Sequence, residues 1–149
     1  MNQEMTANTP DEMFSIGEKL AERLNGGDII LLFGGLGAGK TLLTKGLMSG
    51  LGYDVDEVTS PSFTLVNLYE TERFDVYHID LWRLDPAMNT AEAVGLGEIL
   101  DNECAVAIIE WADRLGDKTL RNVTTIRIEG DGDEPRRIAI EGVRSDIKI

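Results

Sequence analysis

The sequence predicts a three-layer α/β domain of the P-loop NTPase-like kind, built on a mixed β-sheet, and three observations predict it. A short apolar run, Asp28 to Phe33 (DIILLF), passes through a glycine-dense segment into a helical pattern that opens at Leu42. A second run, Cys104 to Trp111 (CAVAIIEW), is almost continuously apolar, as a strand covered on both faces must be. Two further pairs of segments rich in β-branched and aromatic residues are each separated by a short polar stretch and read as hairpins.

The first predicted element is a helix. Thr9-Pro10-Asp11-Glu12 forms a capping box: the Thr9 hydroxyl accepts from the third N–H, Glu12 reaches back, and proline occupies the first helical position, where its missing N–H costs nothing. Met13, Ile16, Gly17, Leu20, Ala21 and Leu24 recur at helical spacing and form its core face, and Asn25-Gly26-Gly27 ends it. The strand at Asp28 to Phe33 and the helix from Leu42 follow, and then a polar turn over Gly50 to Asp56. Phe63 to Glu70 (FTLVNLYE) and Asp75 to Arg83 (DVYHIDLWR) make the first hairpin, around Thr71-Glu72-Arg73. Thr90 to Asp101 reads as helix despite Gly95 and Gly97, Cys104 to Trp111 is the buried strand, and Val123 to Glu129 pairs with Arg136 to Val143 across GDGDEP. No repeat, linker or low-complexity stretch divides residues 1–149, so a single domain is expected.

Composition bounds the function. The chain has 149 residues, 42% of them hydrophobic and 28% charged, which suits one globular core. Its formal net charge of -13 and pI near 4.4 oppose a broad contact with a nucleic-acid backbone, which requires a basic face. Cys104 is the only cysteine, so no disulfide or cysteine metal cluster forms within the chain, and a buried thiol is expected there. The first residues lack the apolar core of a signal peptide and Ile29 to Phe33 is far too short to span a bilayer, so a cytoplasmic location is expected.

The chemistry starts at the glycines. Gly34, four residues, then Gly39-Lys40-Thr41 fits GxxxxGK[ST], at the strand-to-helix turn where that motif works. Backbone N–H groups with no side-chain cover cradle phosphate oxygens, and the positive helix end adds its partial charge. The expected nucleotide contacts are therefore Gly35, Leu36, Gly37, Ala38, Gly39, Lys40, Thr41 and Leu42, with Lys40 at the β- and γ-phosphates and the Thr41 hydroxyl on Mg²⁺.

A phosphate cradle alone hydrolyses nothing; acidic groups must hold the metal and orient water. Two are candidates. The period of two in DVYHIDLWR puts Val76, His78 and Asp80 on one face, and Glu110 ends an apolar strand in the manner of a Walker B acid. Either carboxylate can serve the metal and either the water, so both are candidate metal ligands and catalytic groups beside Lys40. His78, as a lone histidine, reads first as a hydrogen-bonded structural residue. Thr59-Ser60-Pro61-Ser62-Phe63 is either a segment that senses the γ-phosphate or an ordinary Ser/Pro turn.

GGLGAGKT, TSPSFTLVNLY, HIDLWRL, VGLGEIL and IIEWADRL, in this order and spacing, closely resemble the TsaE (formerly YjeE) family, small bacterial P-loop ATPases of tRNA threonylcarbamoyladenosine formation. The resemblance runs from the first helix to about Leu115. It implies ATP and Mg²⁺ as cofactors, action on a TsaB–TsaD heterodimer, and hence contact with tRNA only through other subunits. It also implies Lys40 and Thr41 on phosphate and Mg²⁺, Asp80 and Glu110 serving metal and water, Trp111 completing an EW pair, and a basic residue of the last hairpin near the nucleotide. Arg137, with Arg136 as the neighbouring choice, is the candidate for that residue. Gly35 stands where the family usually has Asp and Ser62 where it has Thr; neither side chain is a phosphate or metal ligand on this mechanism, and Gly35 contributes backbone alone. Two other classes compete: a small-molecule kinase, for which the Asp80 to Leu120 stretch offers only two scattered arginines, Arg83 and Arg114, instead of an Arg-rich lid, and a nucleotide-dependent binding module with negligible turnover. A GTPase is disfavoured, since no NKxD base-reading motif occurs.

Overall fold

The computed structural model describes residues 2–35, 38–59, 66–81, 96–110 and 122–142. In chain order its elements are β1 (Asn2–Ala7), α1 (Pro10–Ala21), β2 (Ile29–Phe33), α2 (Lys40–Gly50), a 3₁₀ turn (Val55–Glu57), β3 (Val66–Glu70), β4 (Asp75–Asp80), α3 (Leu96–Leu100), β5 (Ala105–Glu110), β6 (Val123–Glu129) and β7 (Arg136–Gly142). The described strands form one sheet in the order β1-β7-β6-β2-β5-β4-β3. β6, β2, β5 and β4 run parallel, and the antiparallel pairs β1/β7, β6/β7 and β3/β4 make the sheet mixed, as expected.

Strand alternation decides which layer covers which face. Ile30 and Leu32, Val76, Val106 and Ile108, and Ile126 and Ile128 point to the side where Met13, Leu20, Leu43 and Leu47 of α1 and α2 complete one buried cluster. Ile29, Ile79, Ala107 and Ile109 point the other way, where Ile99 and Leu100 of α3 pack on them. Every residue of β5 is buried, which is why its sequence reads as a continuous apolar run. The expected split of the hairpin strand holds: Val76 joins the α1/α2 face and Ile79 the other, so His78 and Asp80 face α2.

Each helix end has a local cause. Thr9 is extended, its hydroxyl accepts from Glu12 N–H, and Pro10 opens α1. The Glu12 carboxylate reaches back to Asn8 N–H, closing the box one residue earlier than the usual pairing. The helix stops at Ala21, ahead of the Asn25-Gly26-Gly27 stop, although Leu24 remains fully buried.

Two expectations change. The chain opens with an unanticipated strand, β1, an edge strand whose exposed Glu4 and Thr6 alternate with inward Met5 and Ala7; four of its six residues are polar, which masks that period. Cys104 is exposed rather than buried, because β5 begins at Ala105 and leaves the thiol in the preceding turn. Trp111, Gly95 and residues 82–95 and 111–121 fall outside the described residues, as does the start of the strand expected from Phe63.

α1 and α2 cross at a contact only glycine permits. A Cβ on Gly17 would lie 2.3 Å from Leu43 O, and one on Gly46 would lie 2.1 Å from Phe14 O, both impossible without moving backbone. Gly46 therefore serves helix packing, unlike the glycines before Lys40. Gly17→Ala and Gly46→Ala should each destabilise by about 2 kcal/mol or more, the scale of core overpacking. Gly97→Ala, whose Cβ meets open space, should be neutral or stabilising by about 0.5 kcal/mol. Urea unfolding midpoints compare the three.

Candidate functional site

Parallel strands deliver their carboxyl ends to one edge of the sheet, and a crevice there is where open α/β sheets take ligands. β2, β5 and β4 end at Phe33, Glu110 and Asp80. In register, Leu32 pairs with Glu110 and Glu110 with Asp80, so the two acids occupy adjacent strands at one level. Glu110 follows Val106 and Ile108 in alternation and therefore points to the α2 side, as Asp80 does.

The loop leaving β2 leads into α2, whose first residue, Lys40, reaches Glu110. Ala38 N–H donates to Gly35 O at 3.2 Å, and Gly39 takes a left-handed φ of 113° that an L side chain rarely adopts. α2 then starts at Lys40. No side chain caps its N-terminus and its first turn holds no acidic residue. That end presents backbone N–H groups and the positive pole of the helix, the arrangement that suits a phosphate. A Cβ on Gly35 would meet nothing within 4 Å, leaving the approach open, whereas one on Gly34 would sit 3.0 Å from Ile128 O. Thr41 is exposed in the first turn and Leu42 is half-buried, while Leu36 and Gly37 lie outside the described residues.

Lys40, His78, Asp80 and Glu110 are all buried, at 7%, 0%, 4% and 4% exposure. Lys40 Nζ lies 3.9 Å from Glu110 Oε1, and His78 Nε2 lies 2.5 Å from Glu110 Oε2. One carboxylate thus faces a cation on one oxygen and an imidazole on the other. His78 Nδ1 is 3.3 Å from the Tyr69 hydroxyl, which in turn donates to Thr59 O at 2.9 Å. The structure therefore brings Lys40, Asp80 and Glu110 together as expected and adds His78 and Tyr69. Of Thr59 to Phe63, only Thr59 is described.

The structure separates the two candidate arginines. Arg137 and Arg136 are successive strand residues and so point to opposite faces. Arg137 is exposed and pairs with Glu129 at 3.0 Å, away from the loop. Arg136 shares the face of buried Ile138 and Ile140, and its Nε donates to Ala38 O at 3.1 Å. Its remaining nitrogens hold Gly132 O and Glu134 O, tying the β6–β7 turn to the loop. Between that turn and the start of α1 is a cleft of about 290 Å³ lined by Thr9, Met13, Ala38, Leu42, Glu134 and Arg136, among others.

The residues fit Mg²⁺ in one specific way. Among the described residues no three His, Cys, Asp or Glu side chains converge to hold a metal ion alone. Mg²⁺ seldom needs them, since in nucleotide sites it takes one or two carboxylates and completes its shell with phosphate oxygens and water. Thr41, Asp80 and Glu110 supply oxygen donors of that kind.

The family model described as threonylcarbamoyl adenosine biosynthesis protein TsaE matches residues 7–138. The chain belongs to the TsaE family. A TsaE protein from Nostoc is 36% identical over 126 residues, covering 81% of this chain and 75% of the relative. One from Bacillus subtilis is 34% identical over 134 residues, covering 90% and 82%. The crystal structure of Bacillus subtilis YdiB superposes with a TM-score of 0.77 at 29% identity, over 97% of this chain and 87% of that one. The TsaE role is in tRNA threonylcarbamoyladenosine biosynthesis, which makes this a tRNA-processing protein. No helix among the described residues is long and apolar enough to cross a membrane.

The Glu110 contacts predict a stability difference. Glu110→Ala leaves His78 Nε2 buried without an acceptor and Lys40 without its carboxylate, whereas Glu110→Gln keeps an amide oxygen for the imidazole. The alanine variant should be less stable than the glutamine variant by about 2 kcal/mol, as read by denaturant titration.

Proposed function

We propose that this TsaE protein binds Mg-ATP across Gly35 to Leu42 and hydrolyses it to sustain threonylcarbamoylation of tRNA by a TsaB–TsaD complex. The observation that carries the reading is the uncapped α2 N-terminus with buried Lys40 in its first turn, set over the strand-end acids Glu110 and Asp80. The Lys40 ammonium beside an uncapped helix N-terminus concentrates positive charge at one edge of the sheet. That arrangement makes sense where a polyanion completes it. In this reading Lys40 neutralises β- and γ-phosphate charge, Thr41 and one carboxylate hold Mg²⁺, and the other carboxylate orients water.

The cleft beside Ala38 supports a place for the nucleoside. It adjoins the phosphate loop, offers the apolar surfaces of Met13, Ala38 and Leu42, and is closed by the turn that Arg136 fastens. Arg136 takes the place first given to Arg137, as a residue that holds the loop's shape. The excess of acid suits a chain that meets tRNA through its partners, since like charges oppose its own approach to a phosphate backbone.

The deciding experiment is ATP hydrolysis by the purified chain with and without TsaB–TsaD from the same source. Lys40→Ala should lower turnover about a hundredfold or more, the scale lost with one preorganised donor to a developing charge. Near-normal activity in that variant would remove the site assignment. Isothermal titration separates the remaining groups. Asp80→Asn and Glu110→Gln should part company, one weakening Mg-dependent binding and the other leaving ATP bound but uncleaved. Arg136→Ala should weaken Mg-ATP about tenfold, as loss of a well-placed hydrogen bond to a structured loop does, while Arg137→Ala stays near wild type.

A further inference from the structure

Glu110 is connected through His78 and Tyr69 to the backbone of Thr59, and nothing in the nucleotide reading requires that chain of contacts. All the intermediate groups are buried: His78 is fully enclosed and Tyr69 is 3% exposed. β3 and β4 set the geometry, because Asn67 pairs with His78 and Tyr69 with Val76, which places the phenol diagonally beside the imidazole. Tyr69 is held in turn against Tyr53, with ring centroids 5.1 Å apart.

Counting protons shows what this arrangement can do. An ionised carboxylate only accepts, so the 2.5 Å contact requires the proton on His78 Nε2 and leaves Nδ1 as the ring's acceptor. The Tyr69 hydroxyl has one proton and two acceptors facing it, Thr59 O at 2.9 Å and His78 Nδ1 at 3.3 Å. It cannot serve both. Thr59 holds the nearer position, and its own N–H and the Asn67 amide also reach the phenol oxygen, at 3.3 and 3.4 Å. With the proton on Thr59, Nδ1 is poorly served. If Thr59 withdraws, the hydroxyl turns to Nδ1, and donation there polarises the ring and strengthens Nε2–H on Glu110.

We propose that Tyr69 and His78 are positioning residues that couple the backbone at Thr59 to the orientation of Glu110, through a hydroxyl proton shared between two acceptors. The inference rests on the nucleotide reading of the site and adds how the site senses its ligand. When the chain at Thr59 shifts toward a nucleoside triphosphate, the Tyr69 O–H turns to donate to Nδ1 while keeping its proton, and the Glu110 carboxylate is pinned by Oε2, with Oε1 left toward Lys40 and the reacting water. When Thr59 returns, the pin loosens. Neither Tyr69 nor His78 touches the nucleotide.

His78 is the only histidine in the chain, so its ring nitrogens give an unambiguous long-range ¹H–¹⁵N spectrum. In the wild-type chain, replacing Mg-ADP by a Mg-bound non-hydrolysable ATP analogue should move the Nδ1 resonance to lower frequency, as an acceptor nitrogen does on gaining a hydrogen bond. Tyr69→Phe keeps the ring and its packing on Tyr53 but has no proton to give. In that variant the nucleotide-dependent movement should vanish. Single-turnover hydrolysis should fall about tenfold, the lower end of what loss of a supporting hydrogen bond costs, with ATP-analogue affinity unchanged within about twofold. A purely structural tyrosine would alter stability but not this split between binding and turnover. An Nδ1 resonance identical in the two nucleotide states, or wild-type turnover in Tyr69→Phe, overturns the coupling while leaving ATP binding standing. A wild-type chain that binds neither nucleotide overturns both. The wild-type spectra decide the matter even where a variant folds poorly.

Discussion

Burying a lysine, a histidine and a glutamate in one place is the constraint around which this molecule is arranged. Ions removed from water lose far more than one contact returns, unless every charge is paired and every remaining donor and acceptor is used. Glu110 meets that condition by dividing its oxygens between Lys40 and His78. Each partner is brought by a different element. Lys40 comes from the first turn of α2, His78 from β4, and the carboxylate itself from the end of β5. The parallel register of β4 and β5 is thus more than scaffold, because it sets Asp80 level with Glu110 and brings both under the helix that carries Lys40. A shift of one residue in that register would turn the acids toward α3.

The position of the helix end is fixed from two sides. On one, the α1–α2 crossing at Gly17 and Gly46 brings backbones within a distance that no side chain allows, so α2 cannot slide or rotate without opening a buried contact. On the other, Arg136 links Ala38 to the β6–β7 turn. The glycines of this chain therefore divide by purpose. Gly39 supplies a backbone angle, Gly35 leaves space above the loop, and Gly17 and Gly46 permit contact between helices. A residue type that weakens a helix interior by itself has here been placed where a larger one would separate the two helices that hold the loop.

Much of this was legible in the sequence, for reasons that can be located. The strands around the site have strong patterns: β5 is apolar throughout because both faces are covered, and the period of two assigned His78 and Asp80 to one face correctly. The phosphate loop was legible because its residues are constrained by backbone chemistry that few sequences satisfy. β1 was not, since an edge strand with solvent on one face carries too few apolar residues to announce itself. Which of Arg136 and Arg137 reaches the loop is a matter of parity: adjacent strand residues point to opposite faces, and the sequence of the last hairpin does not fix its phase. The Tyr69–His78 contact was beyond reach for a related reason. It depends on the pairing of Asn67 with His78, which is set by the whole hairpin and not by any local pattern.

The same network bears on how a small protein can act within a larger assembly. Thr59 lies after the 3₁₀ turn, outside the strands, while Glu110 is sealed beneath α2. Contacts that cross from an exposed residue to a buried carboxylate give any surface that touches Thr59 a route to the site, and the same route in reverse. Such coupling is reciprocal by thermodynamic necessity: if bound nucleotide favours one position of Thr59, a partner that favours that position must tighten nucleotide binding equally. A chain carrying a net charge of -13 is poorly suited to grip tRNA by its own surface. On the proposed function, its influence on tRNA modification runs through a protein contact whose strength depends on nucleotide state, and that requires differential contact with two states of the chain, not tight binding alone. A single hydroxyl proton with two competing acceptors is a small device, but it distinguishes two such states without rearranging the core around it.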